Sequence, residues 1–141
     1  MKPMKYIMLV FLSISLMSNC CEKMMEKWYY IRVTNVSQNT VMVTAGYGRF
    51  SMNAYPDTTL PASVPSLDKI EPMKHTNLTS GFEWEKVIKD MPLDTLSIYV
   101  FDEDTLNTYS WNQIKEGYKV LKRYDLSIDD LKRMNWNVAY P

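Results

Sequence analysis

Residues 95–101 (TLSIYVF) form an uncharged run of β-branched, aliphatic and aromatic side chains, followed at once by Asp102-Glu103-Asp104. A short continuous apolar run bounded by polar punctuation reads as a buried strand. Upstream of it, Ser80-x-x-Glu83 has the form of a capping box. Trp84, Val87, Ile88 and Met91 then recur at helical spacing on one face, Glu85 and Lys89 stand i, i+4 on the other, and Pro92 ends the run. Downstream, Ser110-x-x-Gln113 repeats the capping pattern, with Tyr109 placed to staple onto Ile114 and Gly117 as the stop signal. Residues 118–124 (YKVLKRY) read as a strand. Ser127 caps a third helix with Asp130 as its reciprocal partner, Leu126 set against Leu131, and Lys132 and Arg133 in the last turn, where positive charge offsets the helix dipole. Asn135 ends that helix, and residues 136–140 (WNVAY) read as a closing strand.

Towards the N-terminus, residues 28–36 (WYYIRVTNV) alternate as a strand. A polar turn over 35–40 and a second strand over 41–45 (VMVTA) predict a hairpin. Residues 46–66 carry Gly46, Gly48, Pro56, Pro61 and Pro65 and are long for a structureless connection, so they hold an edge strand near 49–54 or a functional loop. Short strands follow at 67–70 and 75–78, broken by Glu71-Pro72. The expected architecture is mainly β with some α, an antiparallel β-sandwich-like domain with three short helices. The alternative is an α/β layer with parallel C-terminal strands, because residues 101–118 are long enough for a crossover.

The first twenty residues carry an address. Lys2 and Lys5 precede residues 6–16 (YIMLVFLSISL), an uncharged run of 11 residues. This is the basic start and apolar centre of an export signal over 1–19, too short to cross a hydrocarbon core of about 30 Å as a helix. Cys20 and Cys21 follow, and the chain has no other cysteine. A secretory signal running into a cysteine resembles the lipobox of bacterial lipoproteins, although Met17 and Asn19 stand where that pattern has Leu and a small residue. The resemblance implies lipidation of Cys20, a lipidated tether over 20–27, a single globular domain over 28–141, and anchorage to the outer membrane of a cell envelope. With no cysteine in the domain, its fold rests on an apolar core rather than on disulfides.

Charge narrows the partners. The chain has 16 basic and 16 acidic residues; from Cys20 onward the basic residues number 14. No basic stripe is present, which argues against nucleic acid. His75 is the only histidine, and HExxH, GxSxG and the glycine-rich phosphate loops are missing, so no cofactor or resident metal is expected. Asp102 and Asp104 are a weak metal candidate without the EF-hand spacing. They are also the starting point for a carboxylate-dependent hydrolase, which needs two acids roughly 5–10 Å apart. The simpler reading is that these acids cap the next helical turn. Of 18 aromatic residues, 16 lie beyond residue 19, and most fit strand or helix faces. Tyr47, Phe50 and Tyr55 fall in the irregular segment and are the candidate recognition loop.

Residues 121–131 (LKRYDLSIDDL), Asn135-Trp136, Tyr140-Pro141 and residues 101–111 (FDEDTLNTYSW) are similar to a family of small, uncharacterised Bacteroidetes envelope lipoproteins. The resemblance spans roughly residues 28–141 and implies a compartment and an anchor but no activity. It also implies a modification, because such bacteria O-glycosylate exported proteins at Asp-Thr followed by an apolar residue or Thr. Thr58, Thr105 and Thr95 match, in that order of expected access. Asp-Thr is equally good turn and cap chemistry. The resulting expectation is a non-enzymatic, membrane-anchored domain that binds a protein or a glycan. A carboxylate hydrolase and a structural subunit of a surface assembly are the alternatives.

Overall fold

A computed structural model describes residues 28–48 and 52–141. The expected signal over 1–19, Cys20, the tether over 20–27 and Phe50 lie outside the described residues. In chain order the elements are β1 (Tyr29–Asn35), β2 (Val41–Ala45), β3 (Asp68–Ile70), β4 (His75–Ser80) and α1 (Trp84–Lys89). A 3-10 turn (Pro92–Asp94) leads into β5 (Leu96–Asp102), α2 (Glu103–Thr108), α3 (Trp111–Glu116), β6 (Lys122–Leu126), α4 (Ile128–Arg133) and β7 (Asn137–Tyr140). The first sheet has the order β4-β1-β7 and the second β3-β2-β5-β6. The second sheet is antiparallel throughout, and β1–β7 is the one parallel pair. The domain is thus mainly β with four short helices, one more than the capping signals predict.

Alternation along the strands explains the layers. Leu96, Ile98 and Val100 of β5 share one core with Ile31, Val33, Val41, Val43, Leu78 and Val138, so the two sheets pack face to face. Trp84, Val87, Ile88 and Leu131 bring α1 and α4 into the same core. Tyr99 and Phe101 point the other way, into a second core with Met52, Leu60 and Ile114. β5 and β6 are antiparallel, so the segment between them is not a crossover between parallel strands.

Several local expectations are corrected. β1 and β2 do not form a hairpin but belong to different sheets. The cause is the buried Asn35, whose Nδ2 donates to the carbonyls of Asn39 (2.7 Å) and Ile70 (3.1 Å) and whose Oδ1 accepts from the Ser37 N–H (3.0 Å). These bonds turn the chain across from one sheet to the other. Ser80 is the last residue of β4 and accepts from the Phe82 N–H at 3.0 Å, so it does not cap α1, which has no side-chain cap. Glu85 reaches Lys132 of α4 at 3.9 Å rather than pairing with Lys89 along its own helix. The strand expected over 118–124 starts only at Lys122 because α3 ends in a Schellman motif. There Lys119 N–H bonds Ile114 O (3.0 Å), Tyr118 N–H bonds Lys115 O (3.1 Å), and Tyr118, not Gly117, takes the left-handed position at φ 44°.

The Ser110 and Ser127 capping boxes both form. Asp102 supplies the cap of the additional helix, α2, accepting from the Thr105 N–H at 2.9 Å. Between Ala45 and Asp68 no strand forms among the described residues. That segment is instead a cover for the second core, with Met52 and Leu60 buried in it. Trp111 Nε1–H donates to Pro61 O (2.9 Å), and the Arg123 guanidinium donates to Asp57 O (3.1 Å).

Two outcomes follow from this packing. Trp84 is 2% exposed, and Trp84→Ala is expected to cost about 3–5 kcal/mol in denaturant unfolding. Asp130 is held below the ordinary aspartate pKa of 3.8, first by its hydrogen bonds from Ser127 and then by Arg133. A depressed carboxylate contributes stability that is complete above its ordinary pKa and fades as pH falls through the folded value. Asp130→Asn is therefore destabilising at neutral pH, and its melting-temperature gap to the parent narrows as pH drops below 3.8.

Candidate functional site

Three segments far apart in sequence meet at one end of the sandwich. The start of β1 brings Trp28, Tyr29 and Tyr30, and the entry to α1 brings Glu83, Trp84 and Glu85. The connection from α4 to β7 brings Trp136. Together they line a groove of about 470 Å³, within the range of small-ligand sites.

Each ring is placed for an identifiable reason. Trp84 is the first residue of α1, sits on its buried face, and is backed by Tyr47 in an edge-to-face contact with centroids 5.3 Å apart. Trp136 is placed by the end of α4, a second Schellman motif with Asn135 at the left-handed position (φ 51°). Trp136 N–H bonds Leu131 O at 2.8 Å, and Asn135 N–H bonds Lys132 O at 3.0 Å. Trp136 itself also has positive φ, 57°, a conformation that costs a bulky residue of order 1 kcal/mol or more. Its carbonyl, accepting from Arg32 N–H at 2.9 Å, ties the strained corner to β1. Alternation puts Trp28 and Tyr30 on the opposite face of β1 from Ile31, and they are 58% and 52% exposed.

The polar groups are few. The Tyr29 hydroxyl donates to Glu83 Oε1 at 3.4 Å. Glu83 also lies 3.6 Å from Lys86, and Glu85 lies 3.9 Å from Lys132. These pairs are solvated and contribute little stability. Trp84 Nε1–H is the exception. It is buried and has no hydrogen-bond acceptor among the described residues, at a cost of roughly 1–3 kcal/mol.

Residues singled out from the sequence are not gathered into one place. Tyr47 packs behind Trp84, in contact with the core between the sheets. Tyr55 lies on the other side of the second sheet, where the Arg123 guanidinium is 5.9 Å from its ring and 5.2 Å from that of Tyr99. Asp102 is occupied as a helix cap, Glu103 pairs with Lys69 at 2.7 Å, and Asp104 is exposed. Among the described residues no three His, Cys, Asp or Glu side chains are grouped as for a metal ion. His75 is exposed on β4.

The three Asp-Thr pairs differ in access. Thr105 Oγ1–H donates to Asp102 Oδ2 (3.0 Å), Thr95 Oγ1–H donates to Leu93 O (2.7 Å), and both residues are half-buried. Thr58 is exposed at a turn in which Asp57 accepts from the Thr59 N–H and hydroxyl at 2.8 Å each. Those bonds, the backbone one foremost, hold the Asp57 carboxyl below its ordinary value.

The groove residues Trp28, Trp84 and Trp136 each pass as core or strand positions when read alone. Their common signal is position: one precedes β1, one opens α1 and one precedes β7, and element ends are where clefts are built. Compared with protein families, curated proteins and solved structures, the chain matches none of them.

Proposed function

We propose that this chain is a non-enzymatic glycan-binding domain of the cell envelope, with the Trp28–Trp84–Trp136 groove as its site. The observation that carries the reading is the groove itself, in which the Trp28, Tyr30 and Trp136 side chains stand beside two carboxylates, Glu83 and Glu85. A sugar matches these features together. Its C–H faces stack on flat rings, and its hydroxyl protons donate to Glu83 and Glu85. Among the described residues no cationic side chain lines the groove, which favours neutral sugars over acidic ones.

Isothermal titration of the chain with a panel of neutral oligosaccharides tests this. Binding is expected for at least one. Trp28→Ala and Trp136→Ala are each expected to raise Kd about tenfold, the loss of one stacking ring worth about 1.5 kcal/mol. Wild-type affinity in both variants, or no sugar bound at all, overturns the reading.

The address and the modification belong to the same proposal. Cys20 carries the lipid, and Thr58, whose environment is the most open of the three Asp-Thr pairs, carries the O-glycan before Thr105 or Thr95. Mass spectrometry of protein from its native host is expected to show an acylated N-terminal Cys20 and a glycopeptide lost in Thr58→Ala. An unacylated N-terminus beyond residue 21 removes the anchor. A wholly unmodified peptide over 52–66 leaves Asp57-Thr58 as a turn only.

A further inference from the structure

We infer that the groove end of the domain docks on the surface of a zwitterionic lipid bilayer through Phe82, Trp28 and Tyr30. These rings are 70%, 58% and 52% exposed. The β1–β4 register, Tyr29 opposite Ser80 and Tyr30 opposite Thr79, places Phe82 two residues beyond the end of β4, at the sheet end where Trp28 enters. The other exposed apolar side chains lie away from this end: Val64 and Tyr109 line a groove beside α2 and α3, and Met73 lies in the turn at the far end of β4. Tryptophan and tyrosine carry an apolar body and one polar handle, which suits the headgroup layer better than water or hydrocarbon.

Chain length selects the occupant. A lipid on Cys20 is separated from Trp28 by the 7 residues 21–27. Fully extended, these span at most about 25 Å, so a bilayer holding that lipid is within reach of this end of the domain. Charge selects the lipid. Glu83 is offset by Lys86 and Glu85 by Lys132, which among the described residues leaves the end without a basic patch for anionic headgroups. The inference rests on the membrane anchorage through Cys20 proposed above; because Trp28 lines the groove as well as the docking face, a docked domain and a glycan compete for that ring.

The test uses the lipidated protein from its native host reconstituted in phosphatidylcholine vesicles with brominated acyl chains, read by flotation and by tryptophan quenching. The chain is expected to float with the vesicles and to show a quenched tryptophan component. That component is expected to be lost in Trp28→Phe. It is also expected to be lost in Phe82→Ser, which removes a docking ring but no tryptophan and leaves the tether intact. Both sites are exposed, and unchanged thermal melts confirm that the variants fold. Failure to float overturns anchorage and docking together. Flotation without quenching, or quenching unchanged by Phe82→Ser, overturns docking alone and leaves a domain that is tethered but free.

Discussion

From Leu96 to Phe101 no residue is more than 1% exposed, so β5 needs an apolar layer against each of its faces. One layer is the first sheet, contributing Ile31, Val33, Leu78 and Val138. The other is made from the segment before β3 and from α3, through Met52, Leu60 and Ile114. Each aliphatic or aromatic side chain buried in this way contributes roughly 1.5–3 kcal/mol. With no cysteine in the described domain, that double burial is the main source of cohesion. Two side chains within this stretch carry a hydroxyl: Ser97 is satisfied by Asp125 at 2.6 Å and by Arg123 at 3.2 Å, and Tyr99 donates to Asn53 O at 3.4 Å. Arg123 in turn holds down the covering loop at Asp57 O.

The groove depends on that packing at one remove. Leu131 fixes α4 against the core, and the Schellman end of α4 then determines where the next two residues go. Trp136 occupies a left-handed conformation that most bulky residues avoid, because its N–H and carbonyl are both engaged, by Leu131 and by Arg32. A glycine there would relieve the backbone but remove one wall of the groove. Trp84 shows the same tension. Its ring is among the core side chains, while its N–H is left without an acceptor among the described residues.

Much of the fold was legible because local signals and burial agree. The uncharged run over 95–101, the helical face of Trp84, Val87 and Ile88, and the Ser110 and Ser127 boxes each state a requirement that only one local structure meets. The pairing of strands was less legible. Alternation in residues 29–35 and 41–45 shows that each has one apolar face, and this holds equally for a hairpin and for two strands facing each other across a core. The deciding group was Asn35, a side chain whose four hydrogen bonds go to three later residues, Ser37, Asn39 and Ile70. The end of α3 misled for a related reason: Gly117 is the residue that best tolerates positive φ, yet hydrogen bonds placed Tyr118 there. The groove was hardest to read, because stacking and a buried N–H are properties of three tryptophans brought together by tertiary structure.

The parallel pairing of β1 with β7 has a mechanical meaning. β1 is the central strand of its sheet, flanked by β4 on one side and β7 on the other. Tension applied to the chain ahead of Trp28 pulls β1 along its own axis, so the ladders to both neighbours are loaded in shear and their hydrogen bonds share the force. A strand at a sheet edge, pulled sideways, would instead peel away one bond at a time. The domain therefore takes load applied at its N-terminal side in shear rather than by peeling.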